Sequence, residues 1–284
     1  MGSPCEVLVD SIDEQPAQAA ASAVAACARR IEQKFSRYVP DNIVAQINTA
    51  AGRPVEVDEE TARLLEFAEL AWRLSDGKFD ITSGALRRAW QFDGGSRVPT
   101  TEEVQALLPL VGWSRVRWQR PWLELLPGME IDFGGIGKEY AVDQALAAAM
   151  LLTSDPVLVN FGGDLAVSGP RRDGRPWRIG IESIGSAIDI AADDTPAAAH
   201  FIELTAGALA TSGDTYRFVS AGAGRLPHIL DPRTGNPVLG APRSVTVAAP
   251  SCTQAGLWCT LAMLEGSGAE ALLQRESVRH WVQR

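Results

Sequence analysis

Apolar residues recur at helical spacing in several segments of the chain. Residues 15–35 carry such a face, which ends near a Tyr-Val-Pro-Asp turn. Asp58 is a suitable N-cap for a second helix, and Asp76 and Gly77 form a C-terminal signal for it. The core face predicted for this second helix comprises Leu64, Leu65, Phe67, Ala68, Ala71 and Trp72.

Shorter segments alternate, or form apolar runs, in the way that is typical of strands. Residues 183–200 are rich in Ala and Asp, and we expect them to form a surface excursion. Because helices and strands mix without strict βαβ alternation, the pattern favours an α+β fold over a doubly wound sheet. The remaining predicted elements are helices at 139–150 and 257–264, strands at 4–10, 157–160, 177–182 and 245–249, and a hairpin at 113–125.

Composition narrows the functional classes. The chain has 284 residues, of which 46% are apolar, an ordinary value for a globular protein with a full core. Its formal net charge of −9 argues against a nucleic-acid partner, because phosphates would repel it. No apolar run is long enough to cross a bilayer. As given, the chain is expected to be cytoplasmic, or periplasmic if a leader has been removed.

The four cysteines form no C-x-x-C pair, and we expect free, buried thiols.

Two glycine-rich segments carry candidate chemistry. In residues 132–140, three glycines precede a helix that is predicted to begin near Lys138. Backbone amides in such a loop approach phosphate closely, and a helix N-terminus favours negative charge, although the same pattern also suits a tight turn. In residues 160–164, a Gly pair directly follows a buried strand, and it either admits a ligand or makes a β-turn. Asp164 either caps this turn or binds a sugar hydroxyl.

Two polar segments follow later in the chain. Residues 210–214 read Ala-Thr-Ser-Gly-Asp, which suits hydrogen bonding to a polar ligand and also an ordinary turn. Residues 228–235 read His-Ile-Leu-Asp-Pro-Arg-Thr-Gly, so His228 lies beside a turn. A lone histidine is more often structural than catalytic, but the ordinary pKa of histidine allows proton transfer near neutrality.

Taken together, these segments resemble the ApbE family of flavin transferases, and the resemblance covers nearly the whole chain. Each block is weak alone, but their common order makes a chance match implausible. The matching blocks are Met-Gly-Ser at 1–3, Phe-Ser-Arg-Tyr at 35–38 with Asn48, Gly-Lys-Phe-Asp-Ile-Thr at 77–82, the segment from Asp132 to Asp143, and the blocks that begin at Asn160, Thr211 and His228.

The resemblance implies a single domain over residues 1–284, with two interleaved subdomains and a flavin cleft between them. It implies Mg²⁺-dependent transfer of FMN from FAD to a Thr or Ser of a target flavoprotein, with release of AMP. His228 and Asp231 are the implied catalytic residues, and the Gly137 carbonyl and the Thr260 hydroxyl are the implied metal ligands. The implied flavin contacts are Met1, Tyr38, Asn48, Asp80, Lys138, Asp143, Gly162, Gly163, Asp164, Thr211, Ser212 and His228.

Two positions depart from the family pattern. The family's Ala-Asp-Ala-x-Ala-Thr block supplies a metal-binding Asp, but the aligned stretch 255–260 has Gly256 in its place. A hard dication is normally held by at least one carboxylate, so we expect a weakened site that Gly256→Asp would strengthen. Glu139 stands where the family usually has Gly, and it either repels the pyrophosphate, faces solvent or replaces the lost ligand.

The sequence leaves three functions open. The first is an active FAD:protein FMN transferase, and the second is a non-transferring FAD-binding protein that stores or delivers flavin. The third is a relative with a purely structural or interaction role. Bound FAD would separate the third function from the others, and the products FMN and AMP would separate the first from the second.

Overall fold

The helices and strands form an antiparallel sheet with helices packed on it. The computed structural model describes residues 3–184, 198–213, 218–221 and 224–284. The α-helices are α1 Glu14–Phe35, α2 Ile43–Thr49, α3 Glu59–Leu74, α4 Thr101–Leu107, α5 Gly137–Met150, α6 Cys252–Glu265 and α7 Ala269–Arg275. Short 3-10 helices cover Ile81–Arg88, Leu108–Leu110, Trp113–Arg115 and Gly266–Gly268.

Strands appear throughout the chain and join into one large sheet and several small ones. The strands are β1 Cys5–Val9, β2 Val55–Glu56, β3 Arg117–Gln119, β4 Trp122–Glu124, β5 Val157–Phe161, β6 Asp164–Val167, β7 Trp177–Glu182, β8 Ala198–Leu204, β9 Gly207–Gly213, β10 Phe218–Ala221, β11 Gly224–Pro227, β12 Leu230–Asp231, β13 Asn236–Pro237, β14 Ser244–Ala249 and β15 Arg279–Gln283. The large sheet has the order β1-β5-β6-β9-β14-β15, with every neighbouring pair antiparallel. Antiparallel sheets combined with packed helices confirm the α+β prediction.

The large sheet is covered on both faces. Successive side chains of a strand point to opposite faces. Val159 and Ala210 lie in the core that α1, α5 and α6 cover, whereas Leu158 and Leu209 lie in a second core beneath the β7–β8 hairpin. Burial on both faces explains why β5 and β6 read as apolar runs instead of alternating.

A third, smaller core surrounds the 3-10 helix Ile81–Arg88. It contains Trp90, Val104 and Val111 from the first half of the chain and Val219 from the second. Backbone bonds from Gly94 N to Phe218 O and from Ser220 N to Gly95 O join the two stretches. Two separate stretches of chain therefore build this unit, in keeping with the interleaved arrangement that was predicted.

Most predicted elements are confirmed, and the errors lie at their ends. Asp58 caps α3 through bonds from the Glu60 and Thr61 amides. Helix α6 begins five residues before its predicted start, because its first turn is polar and is stabilised by contacts from elsewhere in the fold. The hairpin at 113–125 opens with a 3-10 turn before β3.

Within the surface excursion predicted at 183–200, residues 198–200 begin strand β8 and His200 is exposed; residues 185–197 lie outside the described part. Strand β8 pairs with β7 across a long connection, and Ile202 and Leu204 are buried by that pairing. The local composition of Ala and Asp carries no signal of this long-range partner.

The cysteines are unpaired, as predicted, but only two of them are buried. Cys252 and Cys259 are buried on α6, whereas Cys27 is half-buried and Cys5 is exposed. Among the described residues, no helix is both long and apolar enough to cross a membrane.

Glu60 joins three helices. Its carboxylate accepts hydrogen bonds from Arg30 and Lys34 on α1 and from the Tyr140 hydroxyl on α5, at 2.7–2.9 Å. Burial alone would raise the pKa of Glu60, but these three donors outweigh it and lower the pKa from 4.5 to about 2. An ionised Glu60 therefore links α3 to α1 and α5 at this point.

We expect Glu60→Gln to flatten the acid side of the stability profile. Because the folded-state pKa is depressed, the contribution of Glu60 is complete above pH 4.5 and is lost as the pH falls towards 2. Wild type should lose about 2 kcal/mol more than the variant between pH 7 and pH 3, measured by chemical denaturation. Glu69→Gln, on the same helix and paired with the exposed Arg73, is the control and should keep the wild-type slope. Parallel profiles for wild type and Glu60→Gln would contradict the assignment.

Candidate functional site

The glycine-rich segment leads into α5 through an exposed loop. Gly134 and Gly135 are exposed, and the Gly134 amide bonds to Asp132 Oδ1 at 2.9 Å. Helix α5 begins at Gly137, and its N-cap residue Ile136 makes no side-chain capping bond. The first amides of α5 therefore lack a side-chain cap, an arrangement that suits an anion.

Lys138 and the buried Asp164 form an ion pair beside this helix start. Lys138 Nζ lies 2.6 Å from Asp164 Oδ2, and Asp164 Oδ1 accepts a hydrogen bond from the Thr211 amide at 2.9 Å. Burial alone would lower the pKa of Lys138, but the Asp164 carboxylate outweighs it and raises the pKa, so the ammonium stays charged. A Cβ on Gly162 would lie 4.0 Å from Lys138 Nζ, so the exposed Gly162–Gly163 turn borders the same charge. The structure thus brings together five of the predicted positions.

Thr211 and Ser212 point to opposite faces of the sheet. Thr211 Oγ1 lies 2.8 Å from the hydroxyl of its cross-strand partner Thr246, on the hairpin side. By strand alternation, the Ser212 side chain lies on the helix side, which is the side of Asp164. Thr211 therefore reaches Asp164 with its backbone amide and not with its hydroxyl.

Glu139 is buried against Gly256. Glu139 is only 8% exposed, so the alternative that it faces solvent is wrong. Burial, followed by the charge of Asp164, raises the pKa of the Glu139 carboxyl. A Cβ on Gly256 would lie 2.5 Å from Glu139 Cγ. An Asp at position 256 would therefore need the Glu139 side chain to shift, and the expectation that Gly256→Asp strengthens a metal site stays a prediction.

The two residues implied as metal ligands flank this contact. Gly137 is the first residue of α5, and Thr260 lies one helical turn after Gly256 on the same face of α6, where it is half-buried. The described residues contain no cluster of three or more His, Cys, Asp or Glu side chains arranged to hold a metal ion.

Asp143 fixes the start of α6 on α5. Its two carboxylate oxygens accept bonds from the Cys252 amide at 2.8 Å and from the Thr253 amide at 2.9 Å. The Thr253 hydroxyl donates a third bond at 2.6 Å. Asp143 therefore satisfies the orphan donors of a helix N-terminus, and this bridge holds Gly256 opposite Glu139.

Asn48 and Asp80 hold backbone around the glycine-rich segment. The Asn48 side chain both donates to Ile131 O, at 3.0 Å, and accepts from Ile131 N, at 2.7 Å. Asp80 is buried and accepts from the Thr82 amide and hydroxyl and from the Trp113 amide, at 2.6–2.8 Å. Both predicted flavin contacts thus have their polar atoms engaged with protein in this conformation.

Tyr38 is exposed beside a pair of arginines. Tyr38 is 81% exposed, and the Arg37 guanidinium lies 4.7 Å from the centroid of the Tyr38 ring. Arg37 Nη1 donates to Asp132 Oδ2 at 2.7 Å, and Arg87 Nη1 lies 3.5 Å from the same oxygen. The two arginines were missed from sequence: Arg37 occupies the variable position of the Phe-Ser-x-Tyr block, so the motif itself draws no attention to it.

His228 and Asp231 lie near the smaller core. The half-buried His228 ring meets Phe92 edge-on, with centroids 6.3 Å apart. Asp231 accepts three bonds from Arg233 at 2.7–2.9 Å, which lower its pKa and fix the Asp-Pro-Arg-Thr-Gly turn. Trp90 Nε1 donates to Gly235 O at 2.8 Å and anchors the turn on this core.

The predicted residues thus fall into three groups. The glycine-rich segment links the Tyr38 group, through Asp132, to the Lys138–Asp164 group, whereas His228 and Asp231 belong to a separate turn. Met1 lies outside the described residues. The groove of about 660 Å³ between β1 and β7 has none of the predicted residues in its lining, so cavity size does not locate this site.

Comparison with known proteins identifies the family of the chain. The model of the ApbE family matches residues 1–281, and the chain belongs to this family. An FAD:protein FMN transferase of Klebsiella pneumoniae (strain 342) is 30% identical over 285 residues, which cover 98% of this chain and 85% of the relative. A Chlamydia pneumoniae protein of the same name is 30% identical and covers 86% of this chain and 76% of its own length.

Solved structures of relatives share the fold. The crystal structure of the ApbE protein from Thermotoga maritima has a TM-score of 0.85 and 32% sequence identity, covering 99% of this chain and 91% of its own. The apo form of the flavinyl transferase ApbE from Pseudomonas stutzeri has a TM-score of 0.84 and 27% identity, covering 99% of this chain and 88% of its own.

We expect Asp143→Ala to destabilise the protein by about 1–3 kcal/mol, because buried amide donors at the start of α6 lose a charged acceptor. Chemical denaturation at neutral pH measures the change. Gln144→Ala, at the next position of α5, is the control and should stay within about 0.5 kcal/mol of wild type. Equal stabilities for Asp143→Ala and the control would show that the bridge contributes nothing.

Proposed function

We propose that the protein is an FAD:protein FMN transferase, which moves FMN from FAD to a Thr or Ser of a target flavoprotein and releases AMP with the help of Mg²⁺. One observation supports this proposal above all. Two exposed glycine turns, at 134–135 and 162–163, lie beside the charged Lys138 and the start of α5, whose N-cap residue makes no side-chain capping bond. Glycine has no side chain, so a ligand can approach its backbone closely. A cation beside a helix N-terminus favours the binding of phosphate. The names of the relatives support the same activity.

The reaction needs positioning and charge neutralisation more than covalent help from the protein. The acceptor oxygen forms a bond to the phosphorus on the riboflavin side of the pyrophosphate. The bond from that phosphorus to the bridging oxygen breaks, and AMP leaves with the bridging oxygen. Lys138, held by Asp164, faces the developing negative charge, and the acceptor proton passes to a base, for which His228 is our candidate.

A divalent cation would neutralise charge on the pyrophosphate. The described residues fit such an ion. Thr260 offers a hydroxyl one turn beyond Gly256, and a buried carboxylate oxygen beside Gly256, Glu139 Oε2, makes no hydrogen bond to a described residue. Oxygen donors of this kind are those that Mg²⁺ prefers.

The alternative is an FAD-binding protein that stores or delivers flavin without transferring it. The specific observation in its favour is Gly256, which removes the carboxylate that the resemblance implies on α6.

Product analysis decides between the two functions. Purified protein is incubated with FAD, Mg²⁺ and an acceptor flavoprotein domain, then assayed for AMP by chromatography and for covalent FMN by mass spectrometry. AMP and modified acceptor in equal amounts support transfer. Tight FAD binding without AMP supports storage, and AMP without modified acceptor indicates hydrolysis.

We expect His228→Ala to lower transfer by about 10²–10⁴-fold while sparing FAD affinity, because general base help acts on the chemical step alone. Single-turnover AMP release and FAD titration measure the two quantities. Equal losses of transfer and FAD affinity would make His228 a structural residue of the turn that Asp231 fixes.

Tyr38→Ala should weaken FAD binding about five-fold, because an exposed ring that stacks on the flavin or adenine adds about 1 kcal/mol beyond its buried area. Quenching of flavin fluorescence measures the affinity. Tyr38→Phe keeps the ring and serves as the matched control, with affinity near that of wild type. The placement of the ring is wrong if Tyr38→Ala binds FAD as tightly as Tyr38→Phe.

A further inference from the structure

Glu139 and Gly256 share one volume between α5 and α6. A Cβ built on Gly256 would lie 2.5 Å from Glu139 Cγ, 3.0 Å from Cδ and 3.1 Å from Oε1. Real Cβ atoms essentially never show contacts under 3.0 Å. Glu139 can therefore hold this position only because residue 256 has no side chain.

The Glu139 carboxylate lacks a full set of partners. Oε2 is buried and makes no hydrogen bond to the described residues, although the residue is 8% exposed. A buried polar oxygen without a partner is costly, and an ionised one is costlier still. Such an oxygen is suited to a partner from outside the protein, such as a bound ion.

The surrounding charges favour a cation as that missing partner. Asp164 and Glu139 are both buried, at 1% and 8% exposed. Lys138 Nζ is 2.6 Å from Asp164 Oδ2 and supplies one positive charge for two acidic groups. An additional positive charge would complete the balance.

The neighbouring oxygen donors favour a hard divalent ion. Thr260 lies on the face of α6 that carries Gly256, and Gly137 lies two residues before Glu139 at the start of α5. Because the described residues hold no cluster of three acidic, His or Cys ligands, the protein by itself offers few charged ligands. Tight binding would need oxygens from a phosphate ligand as well.

We propose that Glu139 is the carboxylate ligand of a divalent cation that binds together with the FAD pyrophosphate, so that α5 supplies the charge that α6 lacks at Gly256. The role of the pyrophosphate rests on the proposed function. The carboxylate has moved from one helix to the other, and the two substitutions belong together: Glu139 fills the space that Gly256 vacates.

The test is an exchange of the two residues, with Mn²⁺ as the probe. Free Mn²⁺ is counted by electron paramagnetic resonance, with and without FAD, for wild type, Glu139→Gln, Gly256→Asp and the double variant Glu139→Gly/Gly256→Asp. Glu270→Gln, whose carboxylate pairs with Arg284, is the control. Melting temperatures with EDTA and with Mn²⁺ report the fold and the metal-linked stabilisation.

Glu139→Gln should weaken FAD-dependent Mn²⁺ binding at least about ten-fold and lose the rise in melting temperature with Mn²⁺. Its melting temperature in EDTA should match or exceed that of wild type, because an amide replaces a buried carboxyl of the same shape. Gly256→Asp alone should melt lower without gaining Mn²⁺ affinity, since two side chains compete for one volume. The double variant should recover binding to within about three-fold of wild type, because one carboxylate again fills that volume.

Three results would overturn the inference: unchanged Mn²⁺ affinity in Glu139→Gln, no Mn²⁺ binding by wild type with or without FAD, or a folded double variant that does not bind Mn²⁺. AMP release, measured on the same samples, separates this inference from the proposed function. Mn²⁺ binding that depends on Glu139 without any AMP release would support the ligand assignment and contradict the transferase.

Discussion

The bridge from Asp143 to the start of α6 sets the geometry on which the rest of the site depends. Asp143 lies one turn beyond Glu139 on α5, and it binds the first two amides of α6. Since the first turn of α6 is tied down there, Gly256 one turn later must face Glu139. Both helices also pack on the large sheet, α5 on β5 and β6 and α6 on β9 and β14. A small side-chain change at this junction therefore displaces the Glu139 carboxyl, because the close-packed interior has little free space to accommodate it.

Charge burial is the second constraint. Lys138, Asp164 and Glu139 lie at the edge of the core, where unpaired charge is costly. Asp164 Oδ1 accepts a backbone amide of β9 and its Oδ2 lies 2.6 Å from Lys138 Nζ, whereas Glu139 Oε2 makes no hydrogen bond to a described residue. This difference distinguishes the ion pair of Lys138 and Asp164 from the Glu139 carboxylate, which is suited to a cation from solution. In the proposed arrangement, α5 supplies the carboxylate that the resemblance to the ApbE family implies on α6.

Several motif residues bind backbone in this structure. Asn48 brackets Ile131, and Asp80 holds Thr82 and Trp113, so both shape the approach to the glycine-rich segment. Their polar atoms are engaged, which leaves backbone amides, Lys138 and the exposed Tyr38 ring as the groups that present themselves to solvent. A sequence motif therefore includes residues that hold a site in place as well as residues that contact the ligand.

The sequence by itself determined the long helices, the apolar strands of the central sheet and the order of the motif blocks. These follow from local periodicity and capping, as at Asp58, where the signal and its structural consequence lie within one turn. It also identified Gly256 and Glu139 as separate departures, and it left the position of Glu139 open. Only the tertiary structure decided that the two residues occupy one volume, that Asp143 bonds α6, and that residues 198–200 form a strand. Each of these depends on residues that are far apart in sequence, Glu139 with Gly256 and Asp143 with Cys252, and no local pattern encodes which distant side chain will fill a given space.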